Sequence, residues 1–220
     1  MIPVKLDIGA DKPIRQEGML TRPWRSFRRH RLAMVGLGIV IVFIVCAIFA
    51  DMIAPYGYAE AVFTPAQPPS AQHIMGTDDL GRDIFSRLIY GSRISMSVGF
   101  VSQVLILFIG ITLGIISGYY GRWVDNVIMR FTDMMFAFPS LLFAILIMIV
   151  LGRGLISLFF AIGLVSWPFM ARLVRGQVLS VKTLDFVEAA RASGAGTPRI
   201  LGLHILPNIL APVLVQVTFG

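Results

Sequence analysis

Charge is scarce in this chain: Asp, Glu, Lys and Arg make up 14% of its 220 residues, against 56% hydrophobic. A soluble domain usually carries about 25% charged residues, so an ordinary globular fold in water is excluded. Cysteine is almost absent. The single Cys46 sits in an apolar run, which rules out an intrachain disulfide and points to a buried, inert thiol. Lysine is limited to Lys5, Lys12 and Lys182, and none follows a glycine. The phosphate-cradling GxxxxGK[ST] loop is therefore missing. G-x-S-x-G, H-E-x-x-H and CxxC are also missing, and the three histidines are scattered. No catalytic residues and no metal site are expected. A cleavable leader is not expected either, because the first apolar run starts only after Arg31 and no small-residue cleavage site follows it before Asp51.

What is present is a series of long apolar runs. Residues 1–31 form a basic tail, with Arg22, Arg25, Arg28, Arg29 and Arg31 before the first span and Trp24 and Phe27 suited to a short interfacial helix. The first span, Leu32 to Ala50 within a segment 32–54, is nineteen residues without a charge. At about 1.5 Å per residue it just crosses a hydrocarbon core. A loop, residues 55–93, is rich in Pro and then reads MGTDDLGRDIFSRLIYGSR. Asp78 or Asp79 is placed to cap an amphipathic helix whose apolar face holds Ile84, Phe85, Leu88 and Ile89, opposite Asp83 and Arg87. His73, Met75, Asp78 and Asp79 read as capping plus a solvated loop in preference to a metal site.

The core, residues 94–220, continues the pattern. Span two runs from Ile94 to Tyr120 and carries Gly110, Gly114 and Gly118 at four-residue spacing, a small face for close helix packing. Span three, Val124 to Leu151, should bend at Pro139, with Arg130 and Asp133 able to pair three residues apart. Span four, Leu155 to Ala171, should bend at Trp167-Pro168 and be closed by Arg172 and Arg175. Of the nineteen Lys plus Arg, only Arg82, Arg87, Arg93 and Arg153 fall outside if the N-terminus is inside. That bias orients the chain with its N-terminus cytoplasmic. It also explains the net charge of +7 without nucleic acid, since no basic helix or stacking pattern accompanies it.

Between spans four and five lies a polar segment, 182–208, containing DFVEAARASGAGTPRILGLHILP. Asp185 with Glu188 approaches a capping box, Gly194 supplies a left-handed stop, and Thr197-Pro198 restarts a helix with Thr as cap. That helix runs to about Pro207 and leads into a last apolar stretch. Ile209 to Gly220 is too short to span at about 1.5 Å per residue, so the chain is expected to be a piece that continues beyond Gly220. The bland account of the segment is an interfacial helical hairpin.

Glu188-Ala189-Ala190, Gly194, Leu206 and Pro207 resemble the EAA loop of ABC importer permeases, EAA-x3-G-x9-I-x-LP, with His204 in the place of Ile. The run His204 to Asn208 and the string GTDDLGRDIFSRLIYGSR are similar to the dipeptide/oligopeptide/nickel branch. The resemblance covers about residues 32–220. It implies an all-α, polytopic transmembrane bundle like the type I ABC importers, with about five spans present and the last truncated, in the cytoplasmic membrane of a prokaryote. It implies a subunit without its own ATP site. ATP and magnesium would sit on two ABC ATPase subunits coupled to this chain through Glu188, Ala189, Ala190, Gly194, His204, Leu206 and Pro207, of which Leu206 and Pro207 would join the loop to span five. A second, homologous permease and an extracytoplasmic substrate-binding protein would complete the importer. Peptide and nickel cargo both stay open, as do an ATPase-independent channel and a membrane scaffold as readings from other classes.

Overall fold

The computed structural model describes residues 27–61 and 63–218. The tail before Phe27, with Trp24 and most of the helix expected around it, lies outside them. Helices follow as α1 Arg31–Ile48, α2 Ala50–Ile53, α3 Ile84–Tyr120, α4 Arg122–Ala137, α5 Ser140–Leu151, α6 Leu155–Val181, α7 Asp185–Ala192 and α8 Thr197–Val217. Among the described residues β-structure is limited to one bridge, Thr77 with Asp83. Four helices, α1, α3, α6 and α8, are long and apolar enough to cross a membrane, and α4 with α5 makes a fifth span if the bent pair counts as one. The protein is an all-α polytopic membrane protein. It divides into two compact units, Met1–Arg93 and Ile94–Gly220.

In the first unit, α1 is apolar on every side and none of its residues is buried, as a helix surrounded by lipid requires. It stops at Ile48, two residues before the expected Ala50, because Phe49 leaves the helical conformation. Arg93 seals this end: its Nε donates to the Ala47 carbonyl at 2.8 Å, and Nη2 lies 3.0 Å from Asp51 Oδ2. A cation at free C-terminal carbonyls is favourable.

The loop before α3 is a packed structure, where a solvated one was expected. Gly76 and Gly81 have φ of +77° and +70°, and a Cβ there would meet Gln67 O at 2.3 Å and Phe63 O at 2.1 Å. Only glycine fits both turns. His73 and Asp83 are 2% and 3% exposed, and His73 Nδ1 lies 3.0 Å from Asp83 Oδ1. The His73 ring packs on Tyr56 and Phe63. Asp83 Oδ2 accepts the Ser86 N–H at 2.8 Å, so Asp83 caps α3 where Asp78 or Asp79 was expected. A cap must immediately precede the first turn, and Asp78 instead takes the Leu80 and Arg82 amides and the Arg82 guanidinium. Burial pushes the Asp83 carboxyl up, but hydrogen bonds from the Ser86 amide and hydroxyl and from His73 outweigh it and hold the group below the usual range.

The second unit is built on a seam between α3 and α6. The amphipathic helix and span two are one helix of 37 residues, not two elements, because Gly91 and Ser92 are tolerated without a break. At about 56 Å it exceeds a bilayer core. A Cβ on Gly110 would meet Met170 Cβ at 2.6 Å, on Gly114 the Ala171 carbonyl and Val174 Cβ at 2.7 Å, and on Gly118 Val178 Cβ at 2.8 Å. Gly163 on α6 receives Leu105 in turn. Residue numbers rise together on the two helices, so they run parallel.

Between them, α4 and α5 meet at 93°. Pro139 forces Phe138 into an extended conformation (φ −86°, ψ 134°), and a break replaces the expected kink. The helix α6 passes through Pro168 and continues ten residues beyond the expected Ala171, because Val174, Val178 and Val181 give it a buried face. Arg172 and Arg175 therefore lie within α6. Arg172 pairs with Asp133, which had been expected to pair with Arg130. Arg175 holds Asp125 through two hydrogen bonds of 2.6 Å, Ser117 donates to the same carboxylate, and Lys182 Nζ donates to the Gly118 carbonyl at 2.7 Å. Finally, α8 starts at Thr197 and includes a π segment, Ile200–Ile205, just before Pro207. The widened turn absorbs the missing proline N–H. The last helix is therefore 21 residues, long enough to span, where the stretch from Ile209 alone was too short.

Two outcomes test this account. Gly114→Ala forces two packed backbones apart and should cost about 2 kcal/mol, lowering the thermal midpoint in detergent, whereas Gly99→Ala, whose Cβ would meet nothing, should leave it unchanged or raise it. Asp83→Ala should raise amide exchange over Ile84 to Leu88 about five-fold, for a cap worth about 1 kcal/mol. In the wild type that contribution is present above the ordinary carboxylate value of about 3.9 and is lost as pH falls through the lower folded value.

Candidate functional site

The segment 182–208 forms a short surface helix, α7, a turn and the start of α8. The chain leaves α6 at Val181, turns through Lys182 and Thr183, and enters α7 with Leu184 as the N-cap residue. Asp185 is the first helical residue and makes no side-chain cap hydrogen bond, so the capping box expected of Asp185 and Glu188 does not form. The Leu184 N–H bonds Val181 O at 3.1 Å, and Asp185 sits one residue too late to cap. Acidic groups in the first turn still favour the helix through its dipole.

The far end closes by the double hydrogen bond of a Schellman turn. Ala195 N–H reaches Ala190 O and Gly194 N–H reaches Arg191 O, both at 3.0 Å, with Gly194 at φ +80°. Gly196, not Thr197, then occupies the N-cap of α8, with Thr197 and Pro198 in its first turn. Thr197 cannot cap because it is already helical.

One residue pins α7 down. Val187 is fully buried and joins Val178, Val181, Ile200, Ile205 and Ile209 in one apolar cluster. The opposite face carries short or polar groups: Glu188, Ala189 and Gly194 are exposed and Ala190 is half-buried. A Cβ on Gly194 would meet nothing within 4 Å. Phe186, Leu184 and Leu203 are exposed apolar side chains beside this face. His204 is half-buried with its ring 6.5 Å from that of Phe186, and its carbonyl accepts the Asn208 amide at 2.7 Å. Leu206 is half-buried and Pro207 exposed at the π-to-α junction.

The structure thus gathers Glu188, Ala189, Ala190 and Gly194 on or beside one short helix and leaves His204, Leu206 and Pro207 on the following one. Gly110, Gly114 and Gly118 belong to the α3–α6 seam. Sequence reasoning missed the anchor Val187 and the Asp125–Arg175 and Lys182–Gly118 links at the base of the loop. In DFVEAARA, Phe186 and Val187 are the two large apolar side chains, and that was the available signal for Val187; partners fifty or more positions apart left none for the others.

Val187→Ala should cost about 2 kcal/mol from two lost methyl groups and the residual cavity. The expected readout is faster proteolysis between Asp185 and Arg199 with little change elsewhere.

Comparison with known proteins places this geometry in a family. Residues 110–219 match the model of the binding-protein-dependent transport system inner membrane component, and residues 19–72 match the N-terminal TM domain of oligopeptide transport permease C. The chain is 48% identical over 205 residues to a dipeptide transport system permease protein, DppC, of Alkalihalophilus pseudofirmus, covering 90% of this chain and 67% of that one. It is 47% identical over 193 residues to the oligopeptide transport system permease protein OppC of Bacillus subtilis (87% and 63%). It is 40% identical over 214 residues to a glutathione transport system permease protein, GsiD, of Pectobacterium atrosepticum (94% and 70%). The chain spans about two thirds of the length of these relatives. It belongs to the binding-protein-dependent transport system inner membrane components, the ABC importer permeases, in their dipeptide/oligopeptide branch.

Proposed function

We propose that this chain is one permease subunit of an ATP-driven importer that moves peptides across the cytoplasmic membrane by alternating access. The peptide reading rests on relatives named for dipeptide, oligopeptide and glutathione transport. A second, homologous permease would complete the path and an extracytoplasmic binding protein would deliver cargo. Two ATPase subunits would bind ATP and magnesium, and this chain would have no ATP site of its own. The N-terminus would face the cytoplasm, as the distribution of basic residues favours.

One observation carries the coupling role: α7 is anchored inward by Val187, locked at its end by the Schellman turn, and short-chained on its outer face. Glu188, Ala189, Ala190 and Gly194 would let an ATPase surface come close, with Glu188 making polar contacts. A push on α7 would reach α6 directly and α4 through Arg175–Asp125 and Arg172–Asp133.

Gly194→Asp separates folding from docking. Asp tolerates the left-handed conformation better than most residues, and its Cβ would meet nothing within the chain. The full-length protein with its partner permease, ATPases and binding protein should insert and assemble normally in liposomes. Peptide uptake should drop at least about ten-fold, the effect of losing about 1.4 kcal/mol of coupling. Unimpaired uptake by the variant would overturn the coupling role.

A further inference from the structure

In the second unit, two carboxamides without partners meet at one cavity. Gln103 on α3 and Gln216 on α8 line the same cavity of about 610 Å³, and among the described residues neither carboxamide has a hydrogen-bond partner. Both are half-buried. The Ser166 hydroxyl, from α6, lines the cavity as well and is equally without a partner among the described residues. Inside a bilayer an amide that bonds neither protein nor water is unfavourable. Such side chains are kept where they face a polar occupant.

The backbone points the same way. The break between α4 and α5 falls at Phe138 and Pro139, which form part of the cavity wall. The last carbonyls of α4 and the first amides of α5 have no continuing helix to satisfy them. Interrupted backbone at membrane depth is tolerated where it is covered by protein or lines a wet cavity. A second cavity, about 530 Å³, shares Gln103, Ile106 and Ser166 with the first and continues along α3 to Ser95 and Ile94. The two therefore form one groove on the α3–α6 side of the unit. No Asp, Glu, Lys or Arg lines either part.

We infer that this groove is the peptide-conducting surface of the subunit, with Gln103, Ser166 and Gln216 hydrogen-bonding the cargo's backbone amides. The inference rests on the import reading above and adds where and how cargo is held. A carboxamide both donates and accepts, which matches the N–H and C=O that every peptide presents. An uncharged wall neither selects nor rejects a charged cargo side chain, so recognition here is of the backbone. Phe138 and its aromatic neighbours supply apolar contact at the break. A volume of about 610 Å³ falls in the range of small-molecule sites, about 300–1,000 Å³, and accommodates a short peptide.

The test uses the complete transporter in liposomes, carrying Cys46→Ala so that no native thiol remains among these 220 residues, with modification read at position 166. Ser166→Cys is then probed with a charged, water-soluble methanethiosulfonate, in the nucleotide-free and the vanadate-trapped states. The expected result is modification in at least one state, slowed at least five-fold by trialanine supplied with the binding protein. No modification in either state would show the groove filled by another span or by the partner permease, and would overturn the inference. Modification at the same rate with and without trialanine would overturn it as well. Independently, Gln103→Leu combined with Gln216→Leu should lower trialanine uptake at least ten-fold while the complex keeps its assembly and ATP hydrolysis; uptake equal to wild type would also overturn it. These failures leave import itself intact. A wild-type transporter that assembles and takes up no peptide removes the import reading, and the groove with it.

Discussion

The glycine face of α3 sets the distance at which α6 can run, and much of the membrane unit follows from that distance. Gly110, Gly114 and Gly118 each sit where a single extra carbon would strike α6. In lipid, burying apolar surface gives helices little reason to associate, so close backbone approach and dispersion must supply it. The same approach brings the carbonyl of Gly118 within reach of Lys182 and places Ser117 beside the carboxylate that Arg175 holds. Charges that would be expensive one by one are thereby paired at one end of the seam, where α4 is tied in as well.

That end of the seam is also where the chain leaves the bundle to form α7. The apolar cluster passes without interruption from Val174 and Val178 on α6, through Val187, to Ile200, Ile205 and Ile209 on α8. The surface helix is thus an extension of the core. Its outer face can be short and featureless because its position is decided from below. The π segment before Pro207 belongs to the same arrangement: it lets one helix run from the surface turn into the membrane despite a proline in its path.

The parts of this fold that announce themselves in sequence are those fixed by composition and local spacing. Apolar runs gave the number of crossings, the four-residue glycine period gave a packing face, and Gly194 could be read as a left-handed stop because little else takes that conformation. Where tertiary partners decide, local spacing misleads. Asp83 looked like the polar side of an amphipathic helix, yet it is the buried cap of α3 and the partner of His73. Arg130 and Asp133 had the right spacing to pair, but Arg172 reaches Asp133 from another helix and also lies over Phe136. A sequence offers no hint of a partner 39 positions away. The end of α6 was placed early because two arginines looked like a membrane boundary; with carboxylates on α4 to meet them, they could stay inside the helix.

Polarity is divided sharply within the second unit. Its carboxylates on α4 are matched with arginines on α6, while the groove beside the α4–α5 break carries only amides and hydroxyls. A fixed charge in that groove would have to be neutralised or hydrated at every passage, and it would hold a cargo of opposite sign while repelling one of the same sign. Amides avoid both difficulties at a smaller desolvation cost. On the import reading, this subunit can then conduct peptides of differing charge through one surface. Selectivity among them would have to come from elsewhere in the transporter, consistent with relatives of one branch that carry the names of different peptide cargoes.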